Sequence, residues 1–212
     1  QAQEVYTYDI QEKSHTIIFS SPGYGKSTTL QTIVMNLARQ NTPEQLQFHL
    51  LDFGTNGLLP LKNLPHVVDI TTADDIEKTD KVLGRIREEL TKRKQLFTKS
   101  QVATISQYNV KHEDRKLPLQ VVVLDNYDTV AEGEGNKRDK HDSLIAQLLR
   151  EGAGLGIYII LTANRVGVVK MSMQSNIQTK IALYLLNQDE LMPLFGKDRL
   201  PSQEILGRGQ LM

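Results

Sequence analysis

Ser20 to Thr28 read Ser-Ser-Pro-Gly-Tyr-Gly-Lys-Ser-Thr, a glycine-bearing loop directly behind the apolar run Thr16-Ile17-Ile18-Phe19. A loop of this kind turns consecutive backbone N–H groups inward while the following helix presents its positive end, and the combination suits phosphate. Gly23 and Gly25 allow the close backbone approach that a side chain would block. Lys26 offers a compact charge to β- and γ-phosphates, and the Ser27 hydroxyl suits the shell of a Mg²⁺ ion. Ser21, Pro22, Gly23, Tyr24, Gly25, Lys26, Ser27 and Thr28 are therefore the expected nucleotide-binding residues. The full spacing G-x-x-x-x-G-K-[ST] asks for glycine at position 20, where this chain carries Ser20. Tyr24 either leans over the nucleotide or a neighbouring molecule, or faces solvent.

A second chemical element lies farther along. Val121-Val122-Val123-Leu124 ends in Asp125, which puts a carboxylate at the end of a core strand, facing the phosphate loop. Ser27 and Asp125 are the expected metal residues. The next residue is Asn126, whose amide can hydrogen-bond a water but cannot take its proton at neutral pH. Asp128 is either a substitute base or a loop aspartate capping the next turn.

The elements that must position these groups alternate between strand and helix. Val5 to Ile10 alternates like a strand, Gln11 to Ser14 turns, and His15 to Phe19 is the strand feeding the loop. Ser27 to Arg39 follows as a helix burying Leu30, Ile33, Val34 and Leu37. Leu46 to Leu51 is a strand ending at Asp52, Gly54 to Gly57 breaks the chain, and His66 to Ile70 is a short strand. Thr72 to Ser100 is the longest helical stretch, with Ile76, Val82, Ile86, Leu90 and Phe97 on its apolar face. A short helix over Thr104 to Asn109 leads to Leu119 to Leu124, apolar on consecutive residues as a central parallel strand should be. Glu132 to His141 is a charged loop and Asp142 to Glu151 a helix. Gly156 to Thr162 and Thr179 to Leu186 are strands, Asp189 to Phe195 is a short helix, and Gly207 to Met212 is a terminal turn and strand. The pattern implies an α/β fold with a doubly wound, mainly parallel sheet and helices on both faces.

Composition narrows the classes. The 212 residues suit one domain, with 1–14 as a leading strand or linker, and the opening sequence has the look of an excerpt from a longer chain. Lys plus Arg balance Asp plus Glu at 25 each, so net charge gives no argument for nucleic acid or an anionic membrane surface. Cysteine is absent, which excludes disulfides and thiolate metal sites. The apolar runs fall far short of the roughly 20 residues a spanning helix needs. The five histidines show no ligand spacing, so no zinc site is expected.

In order, the chain carries Ser20–Thr28, Leu51-Asp52-Phe53-Gly54, Glu89 and Arg93 followed by Gln107-Tyr108-Asn109, and Val121–Asp128. Glu151–Arg165, Ser175-Asn176-Ile177, Lys180-Ile181-Ala182 and Leu206-Gly207-Arg208-Gly209 complete the series. In this order they resemble an ATPase module of the FtsK/SpoIIIE family, and most of all the modules strung together in the EssC/EccC membrane ATPases of type VII secretion systems. The resemblance implies a RecA-like P-loop core, ATP and Mg²⁺ as ligands, neighbouring ATPase modules in one membrane-anchored chain, oligomeric rings and secreted protein substrates. It places the domain at the cytoplasmic face of a membrane, held there by the rest of the parent chain. P-loop ATPases of this layout usually carry glutamate after the strand aspartate, so Asn126 implies weak or absent hydrolysis, with Asp125, Asn126 and Asn164 as the catalytic set. Asn164 matches a residue that senses the γ-phosphate, or it caps its strand. Arg165 is a structural or intermodule contact, and Arg208 meets nucleotide, a neighbour or only solvent. Arg85, Arg87 and Arg93 are expected to form solvated ion pairs with acids on their own helix, or to supply an arginine finger in trans. The competing readings are a DNA-translocating ATPase and a scaffold without nucleotide; the first predicts a basic pore surface, the second a failed phosphate loop.

Overall fold

Four consecutive apolar or β-branched residues, Thr16–Phe19, form strand β1, buried along its whole length. The computed structural model describes residues 7–133, 135–201 and 203–211. Ahead of β1, Ile10–Lys13 is a single helical turn, α1, not the end of a strand. Asp9 accepts hydrogen bonds from the backbone N–H groups of Gln11 and Glu12, and this cap overrides the alternating pattern. Val5 and Tyr6, the start of the expected strand, lie outside the described residues.

Helix α2 (Lys26–Gln40) packs Leu30, Val34 and Leu37 into the core, and β2 (Leu46–Asp52) leads through the glycine-flanked loop 53–58 toward β3 (Val67–Thr72). Because β3 runs to Thr72, the long helix α3 starts at Ile76, capped by Asp75, and ends at Ser100. Ile76 is therefore solvent-exposed at the first turn rather than part of the core face. Helix α4 (Ile105–Lys111) precedes β4 (Leu119–Asp125), and α5 (Tyr127–Ala131) follows it. Helix α6 spans Gly135–Glu151, taking in much of the stretch expected to be a charged loop. Strand β5 (Ile157–Ala163), the short α7 (Met171–Gln174), β6 (Thr179–Ala182), α8 (Met192–Phe195) and β7 (Gln210–Leu211) complete the chain.

The expected strand Thr179 to Leu186 stops at Ala182. Beyond it the chain follows the phosphate loop: Ser21 N–H donates to the Tyr184 carbonyl at 2.9 Å, and Leu186 N–H donates to the Ser21 hydroxyl at 2.9 Å. These bonds secure the loop from one side.

The seven strands lie in the order β3-β2-β4-β5-β1-β6-β7, parallel except for the antiparallel β6–β7 pair. Strand β5 separates β1 from β4, so its carboxyl end lies between the phosphate loop and Asp125. The two expected catalytic regions and Asn164 are thereby brought to one edge of the sheet, where open α/β folds hold ligands. No helix among the described residues is long and apolar enough to cross a membrane.

Candidate nucleotide site

The phosphate loop turns on two glycines in left-handed conformations, Gly23 at φ +88° and Gly25 at φ +97°. Side chains at either position would be strained, which is the reason for glycine there. Position 20 lacks that demand. Ser20 is fully buried and its hydroxyl donates to the Ser21 carbonyl at 3.0 Å, so serine serves where the motif asks for glycine. Lys26 opens α2 and donates to the carbonyls of Ser20 (2.6 Å) and Ser21 (3.2 Å). Burial draws the Lys26 pKa below its ordinary value, opposed by the charges of Asp125 and Asp128.

Ser27 and Asp125 meet directly. The Ser27 hydroxyl donates to Asp125 Oδ2 at 2.6 Å, and Thr162, from β5, donates to Oδ1 at 2.7 Å. Asp125 is only 2% exposed, so both oxygens are fixed by neighbours that strand pairing brings to it. A serine hydroxyl and an oriented carboxylate are hard oxygen donors of the kind Mg²⁺ takes alongside phosphate and water. The residues present therefore fit that ion.

Asn126 adopts φ +67°, a left-handed conformation that asparagine tolerates better than most residues. Its side chain is heavily engaged. It donates to Thr129 Oγ1 (2.9 Å) and to the Phe53 carbonyl (3.3 Å), and accepts from Asn164 Nδ2 (3.0 Å). Asn164 is thus joined to Asn126, and its own N–H donates to Asp128 at 2.8 Å. Asp128 is buried and braces the end of β5 instead of capping the next turn.

A cleft of about 950 Å³ opens over these groups, lined by Pro22, Gly23, Gly25, Lys26, Ser27 and Thr28 on one side and Asp125, Asn126 and Asn164 on the other. Ser21 and Tyr24 are not among the residues lining it. Ser21 is buried beneath the loop, while Tyr24 turns outward, packing its ring 4.5 Å from that of Tyr184 and donating its hydroxyl to Glu204 at 2.6 Å.

Several contributors escaped the sequence reading of the site. Asp52 is 1% exposed and accepts from Leu58 N–H (2.7 Å) and Gly54 N–H (3.2 Å), shaping loop 53–58. That loop closes on Ser27 and Asp125, the residues expected to hold metal. A Cβ on Gly57 would lie 2.6 Å from Ser27 Cβ, and Gln31 donates to the Gly57 carbonyl. Asp52 carries the same signal as Asp125, an acid ending an apolar strand. Leu206 and Gly207 also line the cleft, from the far end of the chain.

Of the helix arginines, Arg93 makes the expected pair with an acid of its own helix but in the core, and Arg85 does not. Arg93 is completely buried, paired with Glu89 at 2.8 Å and donating to the carbonyls of Leu155 and Pro118, both at 2.8 Å. It is neither solvated nor available as a finger, because it ties α3 to the segments flanking β4 and β5. Arg85 pairs with Asp69 on β3 instead of an acid of its own helix. Arg165 pairs with Glu132 at the surface, and Arg208 donates to Gln203 in a surface turn.

The family model for FtsK/SpoIIIE proteins matches residues 1–198. The chain belongs to the FtsK/SpoIIIE family. Within it, this FtsK/SpoIIIE domain is 35% identical over its whole length to the type VII secretion system protein EssC of Staphylococcus aureus strain MRSA252. It is 39% identical over 98% of its length to the ESX secretion system protein YukB of Bacillus subtilis strain 168. It spans 14% of the length of each of these relatives. Its fold superposes with a TM-score of 0.93 on a structure of EssC ATPases 2 and 3 from Geobacillus thermodenitrificans, at 37% identity, covering all of this chain and 40% of that one. It also superposes with a TM-score of 0.85 on Thermomonospora curvata EccC ATPases 2 and 3 in complex with a signal sequence peptide, at 26% identity, covering 99% of this chain and 38% of that one. The sheet is that of a P-loop ATPase domain, as the loop and strand order imply.

Proposed function

We propose that the chain is an ATP-binding module of a type VII protein secretion motor, holding Mg-ATP with weak or no hydrolysis in isolation. The observation that carries the reading is the pairing of an intact binding set, Lys26, Ser27 and Asp125, with Asn126 at the position of the base. The phosphate loop amides from Gly23 to Ser27 and the Lys26 ammonium bind the phosphates. Ser27 and Asp125 would hold Mg²⁺, which when bound would neutralise charge on the phosphate oxygens. Asn126 and Asn164, bonded to each other, orient a water by hydrogen bonding, and neither can accept its proton at neutral pH. The module is suited to occupancy more than to turnover. The relatives are secretion system proteins, and two of the similar structures hold ATPases 2 and 3, which supports neighbouring ATPase modules in a longer chain; assembly of that chain into an oligomer, secreted proteins as cargo and attachment to the cytoplasmic face of a membrane through other segments belong to the same proposal. The balanced charge gives no support to a DNA-translocating role.

The purified chain is to be mixed with Mg-ATP, freed rapidly of unbound nucleotide, and its bound nucleotide identified. Retained intact ATP is the expected result; retained ADP with released phosphate would show a working base. A Lys26→Ala chain should lose the stabilisation by Mg-ATP, about 2.7 kcal/mol at a hundredfold excess over Kd. An unchanged melting response in that variant returns the scaffold reading.

A further inference from the structure

Strand β5 contributes one hydroxyl to two of the groups that line the cleft. Thr162 Oγ1 donates to Asp125 Oδ1 at 2.7 Å and accepts from the Asn126 backbone N–H at 2.8 Å. Thr162 is completely buried, so neither bond competes with water. The register of β4 against β5 runs up to Leu124 and Leu161, and the Asn126 N–H, beyond it, pairs with this side chain in place of a strand carbonyl. A backbone N–H can only donate, so it takes a lone pair of Oγ1 and leaves the single hydroxyl proton to point at Asp125. Oδ1 is thereby committed as its acceptor. The other oxygen, Oδ2, is the one turned toward Ser27 and the covering loop, with the missing Cβ atoms of Gly54 and Gly57 3.2 and 3.6 Å away. Asn126 is held a second time from the segment that ends β5, its amide oxygen accepting from Asn164 Nδ2 at 3.0 Å.

We propose that Thr162 is a positioning residue that couples the metal carboxylate to Asn126, so that filling the site at Ser27 and Asp125 is registered at the asparagine through this one hydroxyl. This rests on the nucleotide-binding reading above. Groups bonded behind a metal ligand set its orientation and basicity. With its carboxylate fixed on the Oδ2 side, Asp125 fixes the Thr162 rotor, and the rotor fixes the Asn126 N–H. The same bond pins the left-handed backbone of Asn126 at φ +67°. Valine has nearly the shape of threonine without the hydroxyl, whereas serine keeps the hydroxyl and loses only the methyl group.

Calorimetry on the purified chain gives the ratio of its ATP affinity with Mg²⁺ to that without, and amide hydrogen exchange followed by NMR reads Asn126 directly. Thr162→Val should lower the ratio about tenfold or more, the scale of losing a partner behind a metal ligand, and Thr162→Ser should keep it. Mg²⁺ added to the ATP-bound parent should slow exchange at Asn126, and in Thr162→Val that slowing should vanish. If Thr162→Val keeps the parent ratio, with both affinities unchanged or both lowered equally, the threonine only packs and the proposal falls. Should Thr162→Val fail to fold, a lowered ratio in Thr162→Ser overturns it, as does a parent whose ATP affinity ignores Mg²⁺ or whose Asn126 exchange is unmoved by it. A parent chain that binds no ATP with or without Mg²⁺ fails the nucleotide reading itself, a result distinct from the others.

Discussion

The carboxylates of Asp52 and Asp125 stand side by side. The two residues are register partners at the carboxyl ends of β2 and β4, and Gly54 lies against both, its missing Cβ 3.2 Å from Asp125 Oδ2 and 3.7 Å from Asp52 Oδ1. Burial pushes the Asp52 carboxyl pKa up, the neighbouring Asp125 charge adds to this, and hydrogen bonds from Leu58 and Gly54 pull against it. One carboxylate accepts from Ser27, on the side of the proposed ligand, and the other holds loop 53–58.

Asp52→Asn tests that division. The amide keeps an acceptor for one of the two N–H groups and turns a donor toward the other, so loop 53–58 loosens over Ser27. A stability loss of about 1–3 kcal/mol by chemical denaturation is expected, together with a higher Mg²⁺ requirement for nucleotide binding. An unchanged Mg²⁺ midpoint would detach the loop from the metal residues.

Replacing Asn126 with glutamate restores a base but asks a longer side chain to hold φ +67°. The strain is roughly 1–2 kcal/mol, and the bonds to Thr129, Phe53 and Asn164 go with the amide. Phosphate release should rise while the melting temperature falls. Faster turnover without any loss of stability would mean the asparagine network is dispensable.

Arg93→Ala should unfold or destabilise the domain by about 3–5 kcal/mol, because Glu89 and two backbone carbonyls lose a buried partner. Removing the exposed Lys81, paired with Glu77, should cost less than about 1 kcal/mol. Urea denaturation compares the two. A fully stable Arg93→Ala chain with a defect only in assemblies would restore the finger role.

His15 provides the pH dependence. Burial lowers its pKa from 6.5 to about 4, and its Nδ1 accepts from Ile159 N–H at 3.0 Å. Between those pH values the unfolded chain binds a proton that the folded chain refuses, so the stability is complete above pH 6.5 and is lost as pH falls toward 4. The loss is about 3 kcal/mol. His15→Asn, which retains an acceptor for Ile159, should flatten the slope of stability measured between pH 7 and 4.5; an equally steep slope places the titration elsewhere.

The inner strands were legible because apolar side chains on consecutive residues mean burial on both faces, and Asp125 was legible because an acid ends such a run. Asp52 ended another and received no role. The turn expected over Gln11 to Ser14 is there as a helical turn beginning one residue earlier, and the strand expected to run to Ile10 is not there among the described residues, because a two-bond aspartate cap outweighs a weak alternation. Helix α6 was entered late because its first residues are glycine and charge, which read as loop. Arg93 shows how a residue type misleads: Ile86, Leu90, Arg93 and Phe97 fall on one helical stripe, and its spacing placed it in the core even though its charge argued for solvent. The place of Leu206 and Gly207 at the cleft was beyond local reading, since it depends on a crossing of chain segments about 180 residues apart.

Lys26 has one further consequence. Its ammonium already has two carbonyl partners in the loop that carries it, Ser20 and Ser21. An anion competes with those oxygens for the same donors, so only a ligand of high charge density draws the lysine across, and a weakly charged one leaves it where it is. In the proposed nucleotide site the loop would therefore act as a threshold, responding to how much negative charge arrives before any question of which base is attached.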